Sequence, residues 1–280
     1  MRGQFRRLLA EAGRDSGSGA PGGPAVLYDP AALTEWLTAT GSSDEVIEGI
    51  DRAAVALAEA HARTPAALLL ADVRRLHARV WRLLAEGRLR HRQERELLRV
   101  NGDVLAHMSL LLGDLHAGRE ADEYGNAAKL YLREAGASEA TAWYVLAKNA
   151  RWNHLYARAA DLARQGREGG SPVPMAVQLA CYEANASALA GDASRARAAM
   201  RHAEDLAAAL PASQVTPSPW SFPPERMTIF RLSVALHTGD PDGALLGAGG
   251  TSAAWDGEGP HVPAAWAHPD RRRDRLHAQG

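Results

Sequence analysis

The chain has 280 residues, enough to bury a sizeable core in one extended array or two modest domains. Its 32 basic and 33 acidic side chains nearly cancel, so no global charge draws it to nucleic acid or to a membrane surface. One cysteine, Cys181, excludes an intramolecular disulfide framework and suits a reducing cytoplasm, and apolar runs such as Ala66 to Ala71 are too short to span a bilayer.

The first residues lack the pattern of a secretory signal. Residues 1–27 combine a short basic stretch with a Gly/Ser/Pro run and are expected to be a flexible leader. Tyr28 to Leu37 reads as a short helix docking through Leu33, Trp36 and Leu37. Ser42 and Glu45 have the spacing of a capping box, ahead of a helix with Val46, Ile50, Ala54, Leu57 and Ala58 on one face. Thr64-Pro65 starts the next helix, whose stripe is Leu69, Val73, Leu76, Val80, Leu83 and Leu84, and Gly87 stops it.

A third helix is expected over 90–112. Ten arginines stand between Arg63 and Arg99 against four acids, Asp72, Glu86, Glu94 and Glu96. Such a run can face phosphate. A solvated helical face explains it better, because no recognition-helix pattern accompanies the charge.

Gly-Asp pairs then recur at Gly113-Asp114, Gly191-Asp192 and Gly239-Asp240. Glycine in the left-handed conformation ends one helix, and aspartate accepts from the free amides of the next. Helices joined this tightly pack as antiparallel hairpins. Two hairpins fall between Ser138 and Pro211, with Trp143, Leu146 and Ala147 on the opening helix of the first and a turn near Asn153. The second opens near Val177. Small residues recur in pairs on the returning helices: Ala121 and Ala128, Ala159 and Gly166, Ala196 and Ala203. Successive pairs are 38 and 37 residues apart. A period near 37 built of two helices marks a helical repeat array.

Between Pro211 and Pro224 the helical pattern breaks around Pro217, Pro219, Trp220, Phe222 and Pro223, which lengthens the next step, Gly191 to Gly239, to 48 residues. Helix resumes from Arg226 to His237. Residues 247–280 lose periodicity and end in the charge run Asp270 to Arg275, with no apolar stripe to bury. This tail is expected to be truncated. With GC-rich codons, a one-base frameshift accounts for the break after Val262 to Ala267, since the shifted frame reads small and apolar.

Trp143, Leu146, Ala147, Tyr156 and Ala159 resemble the tetratricopeptide signature, and Ser187 to Ala203 follows the same plan without the tryptophan. The chain from about Leu33 to Ala267 is also similar to the carboxy-terminal portion of actinobacterial XRE-type helix-turn-helix regulators. The carrying segments are Ala39 to Glu45, Leu112 to Lys148, Gln178 to Asn185 and Trp220 to Arg226. The expected fold is all-α, a TPR-like α-solenoid in which antiparallel helical hairpins over residues 28–246 stack into a right-handed superhelix. The resemblance implies a sensory or oligomerisation region beside a DNA-binding domain. Met1 to Tyr28 is too short for a helix-turn-helix, so no specific DNA binding is expected of this chain alone.

The register implied by the resemblance puts Thr141, Tyr144, Lys148 and Arg151 of one repeat and Gln178, Cys181 and Asn185 of the next on the inner face. Lysine and arginine hold carboxylates and asparagine pairs with peptide backbone, so this stripe is the expected peptide- or partner-binding groove. Read as exposed, its truncations cost about 0.5 kcal/mol or less. Partners expected are a peptide or protein, including a separate DNA-binding regulator, and a second copy of the chain. A scaffold or dimerisation module without a small ligand is the alternative. The eleven histidines form no H-E-x-x-H, and His61, His77, His91 and His107 read as scattered. Cys181 reads as a small buried hydrophobe. No catalytic set, metal or cofactor is expected.

Overall fold

In a computed structural model of the protein, residues 44–86, 89–210, 218–240 and 242 are described. Among them are nine helices and no strand, so the all-α class holds. The leader, the 28–37 helix, the Ser42 cap, the Gly87 stop, residues 211–217 of the break before Pro224 and the tail from 243 onward lie outside the described residues.

The helices are α1 (Asp44–Ala60), α2 (Ala66–Glu86), α3 (His91–Asp114), α4 (Gly118–Glu134), α5 (Ala140–Trp152), α6 (Tyr156–Glu168), α7 (Val173–Leu189), α8 (Ala193–Ala208) and α9 (Pro224–His237). Pro65 opens α2 as expected: its carbonyl accepts from the Leu68 and Leu69 amides at 3.0 and 3.1 Å. Helix α7 begins four residues earlier than the sequence pattern suggests. Pro172 caps it and Pro174 sits in its first turn, where a missing N–H costs nothing.

The packing order is regular. Helix α3 lies against α1 and α5, α5 against α7, and α7 against α9. Each even-numbered helix bridges the two odd-numbered ones that flank it. A large core results, running from Ile50 and Val80 through Leu111 and Leu179 to Phe230, with a second small cluster of Ala150, Ala159, Ala160 and Ala186.

The small-residue period has a packing cause. Ala121, Ala128, Ala159, Ala196 and Ala203 have no exposed surface, and Gly166 is buried with them. A Cβ on Gly166 would lie 2.5 Å from the Trp143 Cβ. Trp143 thus wedges between α6 and α4, where Lys129 Nζ sits 4.2 Å from its ring centre.

The turns repeat as well. After α3, α5, α7 and α9 the chain makes the same closure. Ala117 N–H donates to Leu112 O, Leu155 to Ala150, Asp192 to Ser187 and Asp240 to Ala235, all at 2.9–3.0 Å. This is the six-to-one bond of a Schellman turn, and its acceptors stand 38, 37 and 48 residues apart. Gly191 and Gly239 take the left-handed conformation as expected, with φ of 85° and 74°, and Asp192 caps α8 by accepting from the Arg195 amide at 2.9 Å.

Gly113-Asp114 behaves differently. Both residues belong to α3, and the left-handed position is His116, φ 61°, matched by His154, φ 59°, in the next turn. Gly113 gives room to the Asn149 side chain of α5, while Asp114 pairs with Lys148 instead of capping α4.

Two substitutions test this architecture. Gly166→Ala must push the Trp143 backbone side, and a loss of roughly 1–3 kcal/mol is expected in urea unfolding, against at most about 0.5 for the exposed Arg164→Ala. His116→Gly removes a left-handed penalty at an exposed turn and is expected to raise stability by about 1 kcal/mol.

Candidate functional site

The predicted stripe does come together. Thr141, Tyr144 and Lys148 of α5 hold the same positions as Gln178, Cys181 and Asn185 of α7, counted from the matching turns at Ala150 and Ser187. Four polar members, Thr141, Lys148, Arg151 and Asn185, are tied to a neighbouring helix in the row. Thr141 Oγ1 donates to Asp103 Oδ1 at 3.0 Å, and Lys148 Nζ to Asp114 Oδ1 at 2.8 Å. Arg151 Nε donates to Asn185 Oδ1 at 2.5 Å, and Asn185 Nδ2 to Ser233 Oγ at 2.7 Å.

The stripe is not an open, exposed face. Tyr144, Lys148, Gln178 and Asn185 are buried, while Thr141 and Arg151 are half-buried. Lys148 and Asn185 are enclosed with their partners on neighbouring helices, while the chain's own non-helical segment 218–222 lies against Tyr144 and Gln178. Gln178 Nε2 donates to Pro219 O at 3.2 Å, and Arg226 donates to Ser221 O at 3.1 Å. Trp220 meets His107 and Tyr144 edge-on, both at 6.2 Å between ring centres. Tyr144 continues to Tyr182 at 5.1 Å, Tyr182 to Phe230 at 5.4 Å, and Phe222 stacks on Phe230 at 6.5 Å. Such edge-to-face contacts fix position as well as bury area.

Beyond Trp220 a recess stays open. A cavity of about 250 Å³ lies between α1, α2, α3 and the start of α5. Its walls are Ala54, Val55, Leu57, Val73, Leu76, Val104 and Trp220; its polar groups are Asp51, Arg99, Asp103, His107 and Thr141. Arg99 reaches Asp51 at 2.6 Å, Glu96 at 2.7 Å and Asp103 at 3.1 Å. Burial pushes the Asp103 carboxyl above its usual range even though Arg99 and Thr141 pull it down, and Asp51 and Glu96 add to the rise. Sequence reasoning missed this set. Arg99, Asp103 and His107 do share one face of α3 at four-residue spacing, but Asp51, Thr141 and Trp220 are brought there only by the fold.

The histidines are less scattered than they read. His61 Nδ1 and His107 Nε2 lie 3.2 Å apart, and His61 Nε2 is 3.5 Å from the Asp114 carboxylate that Lys148 neutralises. Burial, then the Lys148 charge, lowers His61 to about 4 despite Asp114; burial, then His61, lowers His107 to about 3. Both rings are therefore neutral at pH 7. His77 is lowered by burial too, against its bond with Asn101 at 2.9 Å. Burial also pushes the Cys181 thiol up to about 12, so it packs as a protonated hydrophobe beside Met227.

Part of the arginine run is neutralised within the chain: Arg74 pairs with Glu120, Arg75 with Asp72, and Arg99 turns inward. Among the described residues no cluster of three or more His, Cys, Asp or Glu is arranged to hold a metal, and no helix is long and apolar enough to cross a membrane. Compared with known proteins, the chain matches no family model, no curated protein and no solved structure.

The histidine pair predicts a pH profile. Both folded values lie below the unfolded 6.5, so the unfolded chain binds protons first. Stability is whole above pH 6.5 and falls as pH drops toward 4, by up to about 1.4 kcal/mol per pH unit for each ring. Asp103, raised in the fold, works in the opposite sense nearer its own range. Urea midpoints from pH 7.5 to 4.5 are expected to fall less steeply in His107→Leu than in the native chain.

Burial of the stripe predicts a second result. Lys148→Ala strands Asp114 and is expected to cost about 3 kcal/mol in urea unfolding, far beyond the loss for an exposed lysine. A change within about 0.5 kcal/mol would mean that Lys148 is exposed in solution.

Proposed function

We propose that the chain is a TPR-like α-solenoid, its hairpins stacked in a right-handed superhelix, that acts as a regulatory module by binding a peptide or protein segment on its inner face. The lineage we propose for it is the sensory part of XRE-type regulators, working in the cytoplasm beside a separate DNA-binding partner. The repeated turns, the row of odd-numbered helices and the buried small residues support the repeat assignment.

The observation that carries the binding reading is the segment 218–222. Inner-face side chains hold this non-helical stretch by two of its backbone carbonyls and by one inserted aromatic ring. A bound peptide is held by the same kinds of contact. The cavity next to Trp220 continues that face with its polar groups still accessible. The same filled face favours a second reading, a scaffold or dimerisation module that occupies its own groove between α5 and α9.

Selection of a random peptide library on the folded chain separates the two. Binding of a partner predicts a consensus peptide whose affinity drops at least tenfold in Thr141→Val and stays level in Arg164→Ala. If no consensus emerges and the chain sediments as a stable dimer, the scaffold reading stands instead.

A further inference from the structure

We infer that the cavity beside Trp220 is a site for an organic cation, a primary ammonium or guanidinium carried on a short apolar stem. The inference rests on the inner face being a binding face, and it names the chemistry that the face recognises.

Charge decides the sign of the ligand. Three carboxylates, Asp51, Glu96 and Asp103, converge on one guanidinium, Arg99, which leaves the group negative by two. His107 adds no charge, being neutral, and Lys148 is committed to Asp114. An anion would need Arg99 as its partner. Its donors, however, are already directed: Nε and Nη2 to Glu96, Nη2 also to Asp51, and Nη1 to Asp103. An incoming carboxylate would meet carboxylates at every side of that arginine. A cation meets the uncompensated charge, in a recess where water screens it less than at the open surface.

A second observation points the same way. His107 is buried on the cavity wall, and its Nε2 faces His61 Nδ1. The chain of bonds from Asp114 sets the tautomers: His61 Nε2–H points to Asp114, so His61 Nδ1 accepts from His107 Nε2–H. In that arrangement His107 Nδ1 is an acceptor on a ring that lines the cavity. An ammonium or guanidinium can donate to it; a carboxylate cannot.

Shape sets the rest. Leu57, Val73, Leu76 and Val104 give the recess an apolar lining for a stem, and Trp220, whose ring face attracts a cation, lines it too. A volume of about 250 Å³ suits a group the size of a side chain. That is below the roughly 300 Å³ at which pockets for whole drug-sized ligands begin.

Two sources carry this chemistry: a free amine, or a lysine or arginine side chain of a partner segment. The test is calorimetric titration of the full chain with n-butylammonium, agmatine, n-butyrate and the blocked peptide Ala-Lys-Ala. The two amines are expected to bind at least tenfold more tightly than butyrate, and at least tenfold less tightly to Asp103→Asn. Asp51→Asn, at a more exposed position, serves if Asp103→Asn does not fold. A free amine equal to the peptide assigns a small-molecule site, and a peptide tenfold tighter assigns a partner side chain. Butyrate binding as well as butylammonium, amine binding indifferent to both variants, or no binding by any probe overturns the inference. A library consensus that lacks Lys and Arg yet depends on Thr141 would overturn it while leaving the peptide-binding reading intact.

Discussion

Close approach between neighbouring helices is the constraint on which the rest of this structure depends. Alanine and glycine at the contact positions let α4, α6 and α8 sit tightly between the odd-numbered helices. Gly166 makes the point most sharply, because a single added carbon there meets the Cβ of Trp143, which has no freedom to turn away. Gly102 and Gly125 play similar parts against Leu132 and Leu146, where the neighbours are the ends of flexible side chains. Packing at this distance gains dispersion contacts and removes apolar surface from water, and it also fixes the spacing of the inner row.

Tight stacking brings polar groups inside, and several of them are answered by a partner from another helix. Glu183, buried on α7, accepts from Arg167 of α6 at 3.2 Å and Arg195 of α8 at 3.0 Å. Lys148 and Asp114 do the same between α5 and α3, and Asn185 links Arg151 to Ser233. Buried ion pairs of this kind add little net stability, because desolvation offsets their attraction. Their effect is on register. A helix that slid by one turn would leave several charges without partners at once.

The segment 218–222 connects this packing to the cavity between the first helices. Trp220 closes one side of the cavity and joins an aromatic series through Tyr144, Tyr182 and Phe230. The longer step between the last two turns, 48 residues where the others are 38 and 37, is the extra length that reaches across the row. An insertion legible as a break in periodicity therefore supplies one wall of the cavity.

Local and periodic features were readable from the residues alone. The apolar stripes of α1 and α2, the proline at the start of α2, the left-handed glycines Gly191 and Gly239 and the small-residue period each depend on neighbours within one or two turns or on simple repetition. Dihedral preference and helical spacing act at that range, so composition and order suffice. The shared face of Thr141, Lys148, Gln178 and Asn185 was an expectation drawn from the family resemblance, not from spacing. The burial of the last three was not legible, because Lys148 and Asn185 are enclosed with partners on neighbouring helices and Gln178 with Pro219. Nor was the turn at His116, where the need for space beside Asn149 keeps Gly113 inside the helix and moves the left-handed residue onward. The pairing of His61 with His107 and the gathering of Asp51, Asp103 and Thr141 around the cavity join residues 38 to 52 positions apart. Their meeting depends on how far each helix is rotated about its axis against the next. Only the tertiary packing sets that rotation.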